Sequence, residues 1–196
     1  ADYTELLAIL EEKVKPERAK LIGRNSIGTR RGTMWWLYGG DSKKLYSVIA
    51  TMSRFLVHPL TSKHNTLSFY NLGIVSSHMT VVLALGKWAE YALIQSGIHW
   101  EWALMYGNKL ETRPQYTPSD CFETFPFPLN LSGLNAIGER YYTHRQTIMQ
   151  TRQEGLTKTY NRFHNAPDRA PDIQQLRELH VEMDQAVAAA YGWQDL

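Results

Sequence analysis

Seven histidines, one cysteine and a scatter of carboxylates are the residues with which this chain could do nucleophilic, acid–base or metal chemistry. Their spacing argues against all three. His58, His64, His78, His99, His144, His164 and His180 form no HExxH pair or other tight ligand pattern. A lone cysteine cannot build a zinc knuckle. Cys121 has no histidine near it in sequence and sits among Phe and Pro, so it reads as an inert buried thiol rather than a nucleophile. There is no GxSxG elbow. Glu11 and Glu12 fall on a helix face expected to be exposed, where they serve solvation. No Asp-…-Glu-x-Lys nuclease pattern stands between Asp41 and Arg54. The chain is expected to catalyse nothing by itself and to hold no metal.

The cations are more informative. Between Lys13 and Lys63 there are eleven Lys/Arg against two acids, Glu17 and Asp41, whereas from His164 onward two bases face six acids. Such asymmetry points to a polyanion partner for the first part and another task for the last, the alternative being a solvated face that balances in three dimensions. Arg24, Arg30 and Arg31 are candidate phosphate clamps or members of a merely solvated loop. A hydrophobic content of 43% and a charged content of 20% suit a soluble globular protein. No apolar run approaches the roughly 18–20 residues that span a bilayer, and no signal peptide is visible. With the single cysteine, this fits a reducing, cytoplasmic location.

The elements that must position these residues follow from periodicity and breakers. DYTELLAILEEKV predicts a helix with Tyr3, Leu6, Leu7, Leu10 and Val14 on one face, Asp2 as N-cap, and an end or restart at Pro16. KLIGRNSIGTRRGTM, with three glycines, predicts a flexible loop; it is not a P-loop, because no Gly-Lys-Ser/Thr follows. MWWLYG is expected to bury aromatics, and SKKLYSVIATM to be helical through Leu45, Ile49 and Met52. RFLVHPL, TLSFYNLGIV and MTVVLAL read as antiparallel strands of one sheet. KWAEYALIQSGIHWEWALMYG is helical with a break at Gly97, and KLETRPQYTP is extended. LSGLNAIGERYYTHRQTIMQTRQEG predicts a long helix capped by Ser132, with Leu134, Ile137, Tyr141 and Ile148 as its stripe. A polar loop, LTKTYNRFHNAPDRAP, follows. The last helix starts with an Asp172–Gln175 capping box and ends at Gly192. The fold class is α/β (α+β): a mainly antiparallel sheet with flanking helices over residues 1–128, then an antiparallel helical hairpin over 129–196.

YTPSDCFETFPFP, residues 116–128, holds four aromatics and three prolines in thirteen positions. It reads as a joint. Pro118, Pro126 and Pro128 stiffen it, Phe122, Phe125 and Phe127 wedge between the sheet and the helix near Ser132, and Asp120 or Ser119 caps a short turn.

This run, with Arg113 and Tyr116 before it, resembles the end of the target recognition domain in large adenine-specific DNA methyltransferases. These are the single-chain type IIG/IIL restriction–modification enzymes and related phage-defence methyltransferases. KVKPERAKL with its basic loop and MWWLYG resembles the entry to that domain. LTKTYNRFH and IQQLRELHVEMDQAVAAAYGW resemble the family's C-terminal tail, so the resemblance covers nearly the whole chain. It implies a C-terminal fragment that reads double-stranded DNA beside an S-adenosylmethionine-dependent methyltransferase domain of the parent chain, which flips an adenine from the duplex. Neither Asn/Asp-Pro-Pro-Tyr/Phe nor Phe-x-Gly-x-Gly, the family's catalytic and cofactor motifs, occurs here, so only the recognition role carries over. Basic residues then supply phosphate contacts, and polar strand ends and loops supply base readers. The candidates are Arg24, Arg30, Arg31, Lys43, Lys44, Arg54, Lys63, His64, His78, Arg113 and Gln115, with Ser62, Asn65, Ser76 and Ser77 beside them. Arg54 and Arg113 are the first choices for guanine, since one guanidinium bonds O6 and N7 together. The helical end is expected to be a spacer or scaffold. The competing reading makes the chain a protein-interaction scaffold that docks an acidic partner.

Overall fold

The computed structural model of the protein describes residues 3–37, 42–110 and 113–193. Asp2, the expected N-cap, lies outside them, as do Tyr38 and Gly39 of the aromatic run. The chain divides into two compact units, Ala1–Ser47 and Val48–Leu196.

In the first unit α1 (Thr4–Lys13) is followed by α2 (Lys15–Ala19), with Pro16 in its first turn. A proline there forfeits only an N–H that has no helical partner, so the chain restarts rather than stops. The expected loop at 20–34 contains a helix, α3 (Ser26–Thr33). Asn25 caps it, its Oδ1 accepting the Gly28 N–H at 2.7 Å. Its glycines serve close packing rather than flexibility. A Cβ on Gly32 would stand 2.3 Å from Ile22 Cγ1 and 3.0 Å from the Arg18 carbonyl oxygen. Arg18 ties the end of the segment, donating to the carbonyls of Trp35, at 2.6 Å, and Leu37. Trp36 is exposed, contrary to the expected aromatic burial. Tyr3, Leu6, Leu7 and Leu10 share a face of α1 but are exposed too. Among the described residues of this unit only Gly28 and Gly32 are buried. The chain leaves the unit through α4 (Lys43–Ile49).

The second unit is built on three antiparallel strands: β1 (Arg54–Pro59), β2 (Ser68–Asn71) and β3 (Thr80–Leu83), in the order β2-β1-β3. Phe55 to His58 of the central strand are all buried, which is why RFLVHPL reads as a continuous apolar run. Arg54 pairs with Asn71, and Pro59 with Thr80. Both outer strands thus run against β1, and residues 72–79 cross from one end of it to the other. Two helices follow, α5 (Trp88–Gln95) and α6 (Gly97–Tyr106). Ser96 parts them, its Oγ accepting the His99 N–H at 3.2 Å and donating to the Leu93 carbonyl at 2.7 Å. A short hairpin, β4 (Asn108–Leu110) with β5 (Arg113–Gln115), leads to the joint.

The C-terminal part is more helical than its composition suggests. A 3-10 turn at Ser132–Leu134 runs into α7 (Asn135–Arg152); Ser132 does not cap it, and its N–H is taken by Asn130 Oδ1 at 2.8 Å. Leu134, Ile137, Tyr141 and Ile148 are buried as the stripe predicts. The expected polar loop contains α8 (Leu156–Phe163). Its Thr159 and Tyr160 are buried, a face that the surrounding Lys, Asn and Arg conceal in sequence. In α9 (Pro171–Ala190) Pro171 takes the first helical position in place of the predicted capping box. Asp172 instead accepts two bonds from Arg152, both at 2.8 Å. Arg140 pairs with Glu182 and Arg152 with Asp172, so α7 and α9 run antiparallel. Gly192, at φ +78°, closes α9 where a side chain would be strained. Gly138 lets α7 cross α5 closely, for a Cβ there would meet the Trp88 carbonyl oxygen at 2.3 Å.

Candidate nucleic-acid interface

The C-terminal end of β1 gathers segments far apart in sequence. Leu60 N–H donates to the Met79 carbonyl at 2.8 Å, and the Leu60 carbonyl accepts the Tyr116 N–H at 2.8 Å. Thr61 bridges Gln115, and Ser62 N–H donates to the Pro114 carbonyl at 3.3 Å. One edge therefore carries the β1–β2 connection with Ser62 and Lys63, the end of the 72–79 crossover with Ser77 and His78, and β5 with Arg113 and Gln115. Lys63, His78 and Arg113 are exposed there, and Gln115 is half-buried. The juxtaposition of Lys63 with Arg113 is invisible in sequence, because it needs β5 to pair back onto residues 60–62.

Three of the predicted residues pack against the protein instead, Arg54 half-buried and His64 and Asn65 buried. Arg54 lies at the opposite end of β1, with its guanidinium 3.9 Å from the ring centroids of both Phe69 and Trp88. Its Nε donates to the Gly86 carbonyl at 2.9 Å. Held in the corner of these two perpendicular rings, it anchors the start of β1, and burial lowers its pKa. His64 is buried, its Nε2 2.9 Å from Asn161 Oδ1 and its ring stacked on His164 at 4.7 Å. Asn65 is buried as well and donates to the Ile94 carbonyl at 2.8 Å. Ser62 Oγ donates to the His64 carbonyl, which shapes the turn that presents Lys63. Ser76 is half-buried.

In the first unit Arg24 lies exposed in the turn before α3, Arg31 is exposed on α3 and Arg30 half-buried beside it. Lys43 and Lys44 open α4 and are exposed. Lys15 and Lys20 pair with Glu11 and Glu17 on the surface. Across the boundary, residues 42–89 contain no Asp or Glu. The C-terminal helices differ: Arg140, Arg152 and Arg162 are each paired with carboxylates of their own unit. Among the described residues no group of three His, Cys, Asp or Glu is placed to hold a metal, and no helix is long and apolar enough to cross a membrane. Cys121 is fully buried, its thiol against the Ala103 carbonyl, and burial pushes its pKa up.

Two histidines lie beneath the polar edge. His58 Nδ1 donates to the Pro59 carbonyl at 2.7 Å, its ring is 4.4 Å from Tyr116, and its Nε2 is buried without a partner. His99 Nε2 lies 2.8 Å from the Tyr116 hydroxyl. Burial holds His58 down to about 4 and His99 down to about 3. The unfolded chain protonates near 6.5, so it binds more protons than the folded one below that pH. Stability from these two is complete above about pH 6.5 and is lost as pH falls through 4 toward 3. The thermal midpoint is expected to drop steadily between pH 6.5 and 4; a flat midpoint across that range contradicts the burial of neutral imidazoles.

Against known proteins, residues 54–129 match the family described as MmeI, target recognition domain. The whole chain superposes on a solved structure of the type IIL restriction-modification enzyme MmeI in complex with DNA, with a TM-score of 0.68 and 20% sequence identity. The match covers 100% of this chain and 25% of that one, so the chain spans a quarter of that enzyme's length. No curated protein matches the sequence. Residues 54–129, which include the five strands of the described residues and the joint, thus resemble a target recognition domain of the MmeI type, and the chain as a whole has the fold of the corresponding part of that enzyme.

Proposed function

We propose that the chain is the DNA-reading part of a restriction–modification enzyme: a sequence-specific module that binds double-stranded DNA and leaves the chemistry to the rest of its parent. The observation that carries this is that residues 54–129, the segment matching the MmeI target recognition domain, also build the exposed polar edge of Lys63, His78, Arg113 and Gln115. Arg113 is the exposed arginine of that edge, a residue type that can bond guanine O6 and N7 together, and Lys63 suits a phosphate. Arg24, Arg30, Arg31, Lys43 and Lys44 of the first unit are further candidates for phosphate contacts, and residues 42–89 contain no carboxylate. The parent is an adenine-specific, S-adenosylmethionine-dependent methyltransferase of the cytoplasm, and residues 129–196 act as the spacer against its methyltransferase domain. Internally paired arginines on α7 and α8 suit that role better than they suit DNA.

Titrating labelled duplex at 50 and 200 mM salt, with heparin as competitor, tests the proposal. Affinity is expected to fall by about tenfold or more, following counterion release from a few phosphates. Lys63→Ala is expected to reduce the slope of log K against log salt by about one. Binding indifferent to salt rejects the reading. One observation favours a second role: the exposed apolar face of α1 and the absence of buried apolar side chains among the described residues of the first unit suit a protein partner. Capture of the parent's methyltransferase domain without any DNA binding is the result that selects a scaffold.

A further inference from the structure

The crossover from β2 to β3, residues 72–79, contains no Lys, Arg, Asp or Glu and exposes four large apolar side chains: Leu72, Ile74, Val75 and Met79. Val75 is 82% exposed. Gly73, at φ +96°, sits in the turn closed by the Ile74 N–H on the Asn71 carbonyl, in a conformation that a branched side chain disfavours. The other end is held, Thr80 N–H donating to the Ser77 carbonyl at 3.0 Å and Leu60 N–H to the Met79 carbonyl at 2.8 Å. A tethered loop that shows contiguous aliphatic groups to water has a binding task more often than a structural one.

Its setting says what it binds. The loop ends beside Lys63, Arg113 and Gln115, lies inside the segment that matches a target recognition domain, and sits in the acid-free run 42–89. The loop itself adds no carboxylate to repel a polyanion. The apolar group that a DNA major groove offers is the 5-methyl of thymine, and short aliphatic side chains are the ones that read it. We infer that Ile74 and Val75 of the crossover are specificity-determining residues that recognise thymine methyl groups, complementing the polar readers at the end of β1. This inference rests on the DNA-recognition reading and names part of what is read.

The test uses the 196-residue chain. Its preferred duplex is selected from a random pool, then remade with deoxyuridine for thymine, which deletes the methyl groups alone. Wild type is expected to bind the deoxyuridine duplex about fourfold more weakly per methyl contacted, from the burial of one methyl group. Val75→Ser and Ile74→Ser are expected to weaken binding to the thymine duplex by a similar factor, to lose the discrimination, and to keep the salt slope. Val75→Ala, which adds no polar group, is the second variant should either serine variant fail to fold. A selected site without thymine, a wild type indifferent to deoxyuridine, or variants that still discriminate overturn the inference while leaving salt-dependent DNA binding intact. No salt-dependent binding by wild type overturns the DNA-recognition reading and this inference together.

Discussion

Arg145→Ala is expected to lower the stability of the second unit by about 3–5 kcal/mol, the cost of dismantling a buried charged network. The guanidinium is 1% exposed and has no carboxylate partner in its network. Nη2 donates to the Leu67 carbonyl at 2.6 Å, and Nη1 to Gln95 Oε1 at 3.3 Å and the Tyr160 hydroxyl at 3.2 Å. The rings of Tyr142, Tyr91 and Tyr160 surround it at 4.8, 5.5 and 6.0 Å. Burial acts to discharge the group, but the oxygens of Tyr91, Tyr160 and Tyr141 outweigh it and move its pKa up, so it stays charged. Its removal opens a cavity and strands the Leu67 carbonyl just before β2. Arg145→Met fills the volume and is expected to cost less, about 1–3 kcal/mol, because only the polar partners are then unpaired. Urea unfolding of the three proteins checks the order. Equal stability of wild type and Arg145→Ala would show that the network contributes nothing. The connection that carries Lys63 runs into Leu67, so the alanine variant is also expected to loosen the polar edge.

Phe125→Ala is expected to cost about 3–5 kcal/mol as well, the range for deleting a buried phenylalanine. The Phe125 ring meets His99 edge-on at 4.5 Å and lies near Trp102 at 5.8 Å, Phe127 at 6.0 Å and Tyr191 at 6.4 Å. It joins α6 to the end of α9, where the sequence suggested a wedge against the helix near Ser132. The other two phenylalanines contribute less: Phe122 is half-buried and Phe127 exposed. The turn before them is a wide π-type one over Pro118–Phe122. Neither Ser119 nor Asp120 caps it; Asp120 accepts from Asn108 Nδ2 and Ser119 Oγ instead. DNA binding by Phe125→Ala is expected to fall only in proportion to unfolding. Loss of binding by a fully folded variant, seen by circular dichroism, would place this ring at the DNA.

Strands and the long helices are legible in the sequence because burial imposes periodicity on single segments. RFLVHPL is apolar throughout since β1 is central, and the stripe of α7 repeats at helical spacing since one face meets α5 and α9. α3 and α8 are not legible. Their local composition, glycine in one and Asn, Lys and Arg in the other, points to loops, and tertiary partners override it. In α3 the glycines permit an approach to Ile22, and in α8 Tyr160 docks among Tyr141, Arg145 and His64. The histidines divide in the same way: nothing in the sequence separates the exposed His78 from the buried His58, His64 and His99.

By itself, then, the sequence determined the antiparallel sheet, the helical tail, the basic first half and the resemblance of SDCFETFPFP to the end of a target recognition domain, because each is a property of consecutive residues. Which cations face outward was decided only by the tertiary structure. Arg54 and Arg113 are alike as residue types, yet one is half-buried against Phe69 and Trp88 while the other stands exposed beside Lys63. The difference lies in strand pairing between residues 60–62 and 113–116, a long-range contact whose register no local pattern encodes.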